Sequence, residues 1–292
     1  MITVDSQQET AAGSATTRHN DLAVLIPFYG RREALEMTLA SLQEEHFPHD
    51  VIVVDDGNAI SVEGCEIWHA SVTVLRLDSN CGVTIALNNG LQYAIDAGYR
   101  LIARLDAGDR HVAGRLQKQV EFLNEHPECQ LVGGQARYVG EDGRHFFTTK
   151  FSCGPTEIYR DLHRRCCFVH PAVMFRVEVI HQVGYYREEY AAAEDYDLFF
   201  RIAERFPTAN LPEVLLDYEV DPRSISAQRR KQAISKLRIL AKHFRFDMKE
   251  SYYGLAASAL AILLPRRAVI QVYCIMHYLV RERVTNKREI PL

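Results

Sequence analysis

The chain has 292 residues, 47% hydrophobic and 25% charged, with 16 glycines and 10 prolines. That length is enough to bury a sizeable core, and the composition excludes disordered, collagen-like and disulfide-dense classes. The net charge of -4 hides a split: residues 223–292 hold 15 Lys or Arg against 4 Asp or Glu, a net +11, so residues 1–222 carry -15. Such a split suggests a surface for polyanions or anionic lipid, or a basic helical face folded against an acidic body.

The 7 cysteines are odd in number and form no CxxC pair, which fits a reducing compartment better than a disulfide framework or a zinc site. The adjacent Cys166 and Cys167 read as buried or strand residues.

Residues 1–20 are polar, lack an apolar h-region, and read as a flexible N-terminal arm. Beyond them a strand–helix rhythm begins. Leu22–Pro27 is a buried-strand run, followed by a helical stripe through Ala34, Leu35, Leu39 and Leu42. Val51–Val54 is a second strand running into Asp55-Asp56-Gly57. Val72–Leu77 is a third, and Thr84–Ala97 a helix. Leu101–Leu105 enters Asp106-Ala107-Gly108-Asp109, and Val112–Asn124 is a helix stopped by His126-Pro127. Apolar runs alternating with amphipathic helices predict an α/β fold with a mostly parallel sheet.

The middle third is less regular. Leu131–Val139 and His145–Phe151 are predicted strands around a Glu141-Asp142-Gly143 turn. Pro155–His163 is a short helix, Ala172–Arg176 a strand, Glu194–Phe206 a helix and Val214–Tyr218 a returning strand. Residues 225–246 have a long basic helical pattern. The apolar runs Gly254–Pro265 and Ala268–Val280 follow, separated by Arg266 and Arg267. Neither run is long enough to span a bilayer, and merging them would bury two arginines. Helices lying in the interface of an anionic membrane are favoured; the alternative is a helical pair packed on the body. Nucleic acid is not an expected partner, because no recognisable binding module is present.

In an open parallel sheet, ligands collect beyond the carboxyl ends of the strands. Acidic or amide clusters fall there on three successive strands: Asp55 and Asp56, then Asp78 and Asn80, then Asp106 and Asp109. Such carboxylates reach a phosphate through Mg²⁺ or Mn²⁺, or accept hydrogen bonds from a base or sugar. Neither a P-loop pattern nor a GxGxxG follows the first strand. A further cluster, Glu194-Asp195 with Asp197, opens a predicted helix, where capping is one reading and a general base the other.

In order, the pieces LIPFYGR (Leu25–Arg31), VIVVDDG (Val51–Gly57), Asn80–Gly82, Asn88-Asn89-Gly90, IARLDAGDR (Ile102–Arg110), QVEFLNEHP (Gln119–Pro127), HPAVMFR (His170–Arg176) and GYYREEYAAAEDYDLFFRIA (Gly184–Ala203) resemble inverting nucleotide-sugar glycosyltransferases of glycosyltransferase family 2. The likeness covers about residues 20–225. It implies a glycosyltransferase-A (Rossmann-like) catalytic domain at 21–222 and a helical C-terminal extension at 223–292.

The resemblance also implies roles. Pro27 and Tyr29 shape the first donor loop, and Asp56, with Asp55 beside it, meets the base or ribose. Asn80 and Arg104 are further donor-pocket positions. Asp106 opens the family's aspartate–x–aspartate metal motif, whose third position here is Gly108, leaving Asp109 as the second metal candidate. Asp195 is the implied catalytic base and Glu194 its neighbour on the acceptor side; Asp197 is a surface or salt-bridge residue. Arg201 is placed either at the phosphates or in a structural role, and His170 either at the acceptor side or packed.

The implied reaction moves a hexose or deoxyhexose, rhamnose from a dTDP donor being one option, from a nucleotide diphosphate sugar to a glycan or lipid-linked glycan. The setting is the cytoplasmic face of a bacterial inner membrane, in lipopolysaccharide or polysaccharide synthesis. A nucleotidyltransferase, or a catalytically impaired carbohydrate-binding or scaffold protein, are the competing readings.

Overall fold

The computed structural model of the chain describes residues 3–5, 20–59, 62, 71–190, 192–220 and 229–263. The second apolar run, Ala268–Val280, lies outside them, as do Arg266, Arg267, Cys65 and Cys274. The other five cysteines are free thiols.

The chain order is β1 (Thr3–Asp5), β2 (Leu22–Phe28), α1 (Arg32–Leu42), β3 (Asp50–Asp55), β4 (Val72–Arg76), α2 (Val83–Asp96), β5 (Leu101–Arg104), β6 (Arg110–His111), α3 (Arg115–Glu125), β7 (Leu131–Val139) and β8 (His145–Thr148). There follow α4 (Pro155–Leu162), β9 (Met174–Arg176), α5 (Glu178–Val183), α6 (Glu194–Ala203), β10 (Thr208–Glu219), α7 (Arg229–Lys242) and α8 (Lys249–Leu263). All described strands join one mixed sheet of order β1-β4-β3-β2-β5-β9-β7-β10-β6, with β8 on β7. The pairs β2–β3, β3–β4, β2–β5 and β7–β10 are parallel.

Both faces of the central strands are covered, which is why they read as unbroken apolar runs. Ala23, Leu25, Ile52, Val54 and Ile102 belong to the core beneath α2 and α6. Their alternating neighbours Val24, Ile26, Val51, Val53 and Ala103 belong to the core beneath α1 and α3. Pro27 lies past the last β2–β5 pair, Leu25 with Arg104, so its missing N–H leaves no bond of that ladder unmade.

Within the expected loose arm, Thr3–Asp5 pairs antiparallel with β4; residues 1–2 and 6–19 lie outside the described residues. Cys166 and Cys167 are in no strand; they lie in the irregular segment after α4, with Cys167 buried. The returning strand is longer than predicted, because register shifts at Asn210, Val214 and Leu216 break the alternation that marks a strand.

Helix α7 and the first turns of α8, part of the basic C-terminal segment, pack on the body. Ile239 and Leu240 of α7 are buried in the larger core. Arg238 and Lys242 lie against the Tyr190 ring, and His243 stacks on Phe200 at 4.3 Å while its Nδ1 lies 2.7 Å from Glu204 Oε1. Helix α8 docks on the end of α4: Ser251 and the buried His163 are 2.9 Å apart, and Gly254 meets the His163 backbone. A Cβ at Gly254 would lie 2.2 Å from the His163 carbonyl oxygen, a backbone atom that no rotamer change can move.

Gly254→Ala should therefore cost about 1–3 kcal/mol of packing despite roughly 1 kcal/mol of gained helix propensity. Calorimetry is expected to show a melting temperature a few degrees lower, with faster amide exchange in α8. An unchanged melting curve would count against this docking.

Candidate active site

The parallel strands β2, β3 and β5 end on the same edge of the sheet, and the first turn of α6 is close enough to that edge for Glu194 and Asp195 to feel the charge of Asp106. At the end of β3, Asp55 is fully buried: its Oδ1 accepts the Asn58 N–H (2.9 Å) and Nδ2 (2.6 Å), and Arg76 lies 3.7 Å from Oδ2. Asp55 is thus the turn's internal anchor and no lining residue, which corrects its expected place at the base or ribose. Asn58 in turn accepts the Gly30 N–H at 2.8 Å, tying the β3 turn to the first loop.

Asp56 is also buried, and its two oxygens accept the N–H groups of Cys81 (2.7 Å) and Gly82 (2.8 Å). These contacts hold the Asn80–Gly82 turn, leaving Asn80 exposed. Gly57 permits the approach. It has φ +72°, and a Cβ there would lie 2.3 Å from the Ser79 backbone. Beside this junction is a cavity of about 280 Å³ lined by Gly57, Asn58, Arg76, Leu77 and Asp78. Tyr29, on the first loop, is 62% exposed. A larger cavity, about 910 Å³ and including Tyr159, Arg205, Arg245 and Lys249 in its lining, has none of the predicted site residues among its walls.

Arg104 departs from the donor-pocket expectation. It has no exposed surface, and its donors are spent internally: on the carbonyls of Leu25 and Leu105 (3.0 Å), on Asp106 Oδ1, and on His170 Nε2 at 3.3 Å. It aims Asp106 and does not line the pocket. The Asp106 side chain keeps 38% exposure, so one carboxylate oxygen is pinned and the other is open to the cleft. The turn behind it is clamped from α1, where the Thr38 hydroxyl donates to the Asp109 carbonyl (2.8 Å) and accepts the Gly108 N–H (2.9 Å).

Asp109 is buried. Its Oδ1 accepts the Glu219 N–H at 3.0 Å, joining the turn to β10, and its Oδ2 is buried without a hydrogen-bond partner. Burial, and then the charge of Asp106, push its carboxyl well above the usual range.

Glu194 is buried, with Oε2 unpartnered, whereas Asp195 is half-exposed and its Oδ1 accepts the Tyr196 N–H at 2.8 Å. Burial, then the neighbouring charges of Asp195 and Asp106, push Glu194 up to about 7. Burial also raises Asp195, opposed by the Tyr196 N–H and by Lys236 of α7, with Asp106 adding to the rise. The charge of Asp106 acts on both Glu194 and Asp195, so the three share one electrostatic field.

Of the two roles expected for Asp197 the structure shows the salt bridge: it is fully buried, 2.7 Å from Arg201 and 3.5 Å from Arg187. Arg201 also donates to the carbonyls of Val183, Gly184 and Tyr185, which makes it structural. His170 is a packed histidine. Its Nε2 meets the Tyr186 hydroxyl (2.9 Å) and Arg104, and burial beside that guanidinium depresses its pKa well below normal, keeping the ring neutral.

Three groups of site residues escaped sequence reasoning. Asn88 grips the Tyr186 backbone through two bonds, N–H to Oδ1 at 3.0 Å and Nδ2 to carbonyl at 2.9 Å. Arg115, fully buried, donates to the carbonyls of Arg104 and Pro171. Tyr138 and Tyr218 share the field of Asp109; burial is the main cause that raises both phenols, Tyr138 to about 12. Only Asn88 had a signal, as part of the Asn88-Asn89-Gly90 piece.

Comparison with known proteins gives a consistent picture. The sequence profile described as Glycosyl transferase family 2 matches residues 23–184, a span that ends before Glu194 and Asp195. The amylovoran biosynthesis glycosyltransferase AmsE of Erwinia amylovora is 29% identical over 202 residues, 66% of this chain and 74% of that one. The UDP-Gal:alpha-D-GlcNAc-diphosphoundecaprenol beta-1,3-galactosyltransferase of Escherichia coli is 26% identical over 206 residues, 68% and 73% of the two chains.

Among solved structures, S. aureus TarS 1–349 superposes with a TM-score of 0.59 at 18% identity, covering 83% of this chain and 70% of that one. The mannosyltransferase PcManGT of Pyrobaculum calidifontis, in complex with GDP-Man and Mn²⁺, gives 0.59 at 19% identity, covering 89% and 81%. These likenesses establish the glycosyltransferase-A fold expected of the sheet.

The electrostatics carry a pH consequence. A carboxyl raised above its unfolded value of 4.5 contributes stability that is complete below that value and lost as pH climbs through about 7. Glu194→Gln should remove this loss. Its melting temperature relative to the parent protein is expected to rise between pH 5 and pH 8, by the equivalent of roughly 2 kcal/mol. A pH-independent difference would show that Glu194 is not held protonated in the fold.

Proposed function

The chain belongs to glycosyl transferase family 2 and is a glycosyltransferase; from that premise we propose that it moves a hexose or deoxyhexose from a nucleotide diphosphate sugar to a hydroxyl of a glycan or lipid-linked glycan, with inversion. The observation that carries the reading is that Arg104 pins one oxygen of Asp106 and leaves the other open, with Glu194 and Asp195 close enough to feel the Asp106 charge.

In this reading the base and ribose occupy the pocket at the ends of β3 and β4, flanked by exposed Tyr29 and Asn80. Asp56 acts by fixing the Asn80–Gly82 turn. The diphosphate lies toward Asp106, whose open oxygen is oriented by Arg104.

The residues present fit Mg²⁺ or Mn²⁺. Carboxylate oxygens are the hard donors these ions prefer, and Asp106 has one free. Asp109, with its unpartnered Oδ2, stands behind it. Among the described residues no group of three or more His, Cys, Asp or Glu encloses a cation, so a bound ion would draw its remaining ligands from the diphosphate and water. When bound, it would neutralise the charge that develops on the departing nucleotide diphosphate.

Asp195 serves as the base. An acceptor hydroxyl is a poor nucleophile until its proton is removed, and a carboxylate raised by burial takes that proton better than a surface aspartate. Glu194, buried beside it, holds the local field and shapes the acceptor side. A single displacement at C1 then inverts the anomeric centre.

Polysaccharide or lipopolysaccharide synthesis at the cytoplasmic face of a bacterial inner membrane is supported by relatives named for amylovoran biosynthesis and for a diphosphoundecaprenol-linked sugar. No helix among the described residues is long and apolar enough to cross a membrane. Peripheral contact is supported by α8, whose exposed residues include Tyr252, Tyr253, Leu260 and Leu263.

Two measurements test the reading. In Asp195→Asn, with shape kept and the base lost, transfer is expected to fall about 10²–10⁴-fold while nucleotide binding and melting temperature hold. Near-parental turnover would remove Asp195 from the role. Treatment with EDTA is expected to abolish transfer and Mn²⁺ or Mg²⁺ to restore it, with Asp106→Asn raising the metal concentration required. A panel of nucleotide sugars with membrane-extracted acceptors supplies the assay; release of pyrophosphate instead of a nucleotide diphosphate would replace glycosyl transfer by nucleotidyl transfer.

A further inference from the structure

Three aromatic residues form a cross-strand row beside the carboxylates. Tyr138 of β7 is in register with Phe147 of β8 on one side and Tyr218 of β10 on the other. Their rings stack with centroids 4.4 and 4.6 Å apart and interplanar angles of 14° and 25°. Directly paired positions share one face of a sheet, so the row is a continuous aromatic strip.

The two ends of the strip differ. At the inner end, Tyr218 lies in the field of Asp109, Asp106 and Asp195. At the outer end, β8 has β7 as its only strand partner among the described residues, and Phe147 is 52% exposed. The turn joining β7 to β8 carries Glu141, 3.9 Å from Arg31 of the first loop, so this hairpin reaches back toward the donor side.

The strip is also electrically neutral. Arg137, next to Tyr138 in sequence, points to the opposite face of the sheet and is bound through two 2.6 Å contacts to Asp217. What remains is an aromatic surface whose inner end adjoins the Asp106–Asp109 turn, with no free cation in the row to select a phosphate.

We propose that the Phe147–Tyr138–Tyr218 row is an acceptor subsite for a neutral glycan, with the open face of Phe147 stacked on the C–H face of a pyranose ring. The electron-rich ring face attracts the polarised C–H groups of a sugar, while the phenol hydroxyls of Tyr138 and Tyr218 offer donors and acceptors to its hydroxyls. The row leads outward from the Asp106–Asp109 turn, to which β10 is tied beside Tyr218 by the Glu219 N–H on Asp109 Oδ1 at 3.0 Å, so a sugar bound on Phe147 is one that precedes the residue being extended. This assignment rests on the glycosyltransferase reading above and adds the part of the acceptor that the cleft recognises.

The test uses the full chain and four soluble trisaccharides, of gluco, galacto, N-acetylglucosamine and rhamno configuration. Saturation transfer from protein aromatic protons to sugar C–H protons is measured for the parent protein, Phe147→Ala and Phe147→Trp. At least one trisaccharide should receive transfer from the parent protein, bind roughly five-fold more weakly to Phe147→Ala, and bind normally to Phe147→Trp. No response from any of the four, or an equal response from Phe147→Ala, overturns the proposal. A parallel calorimetric titration with UDP, GDP and dTDP keeps the two readings separate. Nucleotide binding should be unchanged by either substitution, and its absence from the parent protein would count against the transferase reading, not against the glycan subsite.

Discussion

Arg104 is a full positive charge with no exposed surface, and the organisation of the cleft follows from the need to neutralise it. An unpaired charge in such a place would be prohibitive, so each donor must meet an acceptor of the right geometry. The carbonyls of Leu25 and Leu105 fix the guanidinium to the ends of β2 and β5, and His170 takes its Nε–H. The remaining edge faces Asp106. Because the pair is held from three directions, one oxygen of Asp106 is immobilised and the other is left to the cleft. Arg115, itself buried, supports the arrangement by donating to the Arg104 carbonyl.

The same network reaches the segment that precedes α6. His170 is kept neutral by burial and by Arg104, so its Nε2 serves as an acceptor for the guanidinium while meeting the Tyr186 hydroxyl. Tyr186 is gripped by Asn88 on α2, the helix that follows the Asn80–Gly82 turn. Helix α2, Asp106 and the segment leading to α6 are thus linked through one set of contacts. The acidic clusters divide accordingly. Asp55, Asp56 and Asp197 have their oxygens engaged by the fold, and Asp106 and Asp195 keep open ones. Burial near other carboxylates raises Asp109, Glu194 and Asp195, which costs stability and leaves groups ready to take a proton or a cation.

The charge split also finds a physical meaning in the described part of the C-terminal segment. Helix α7 buries Ile239 and Leu240 and sets Arg238 and Lys242 against Tyr190; Lys236 acts on Asp195. Part of the basic charge therefore answers the acidic body directly. The exposed tyrosines and leucines of α8 remain available for the membrane contact proposed above.

By itself the sequence determined the strand–helix order from Leu22 to Ala203, because strands covered on both faces and helices with one apolar stripe leave period-specific patterns in the residues themselves. It also determined which carboxylates stand at strand ends. It did not reveal β1, β6 or the six-residue helix α5, too short to carry a period, nor the full length of β10, whose register shifts erase one. Only the tertiary structure decided which of those carboxylates are open and which are spent. That outcome depends on partners remote in the chain: Cys81 and Gly82 for Asp56, Glu219 for Asp109, His170 and Leu25 around Arg104. A side chain's type is local, but its solvation, charge state and free lone pairs are set by whatever folding brings against it.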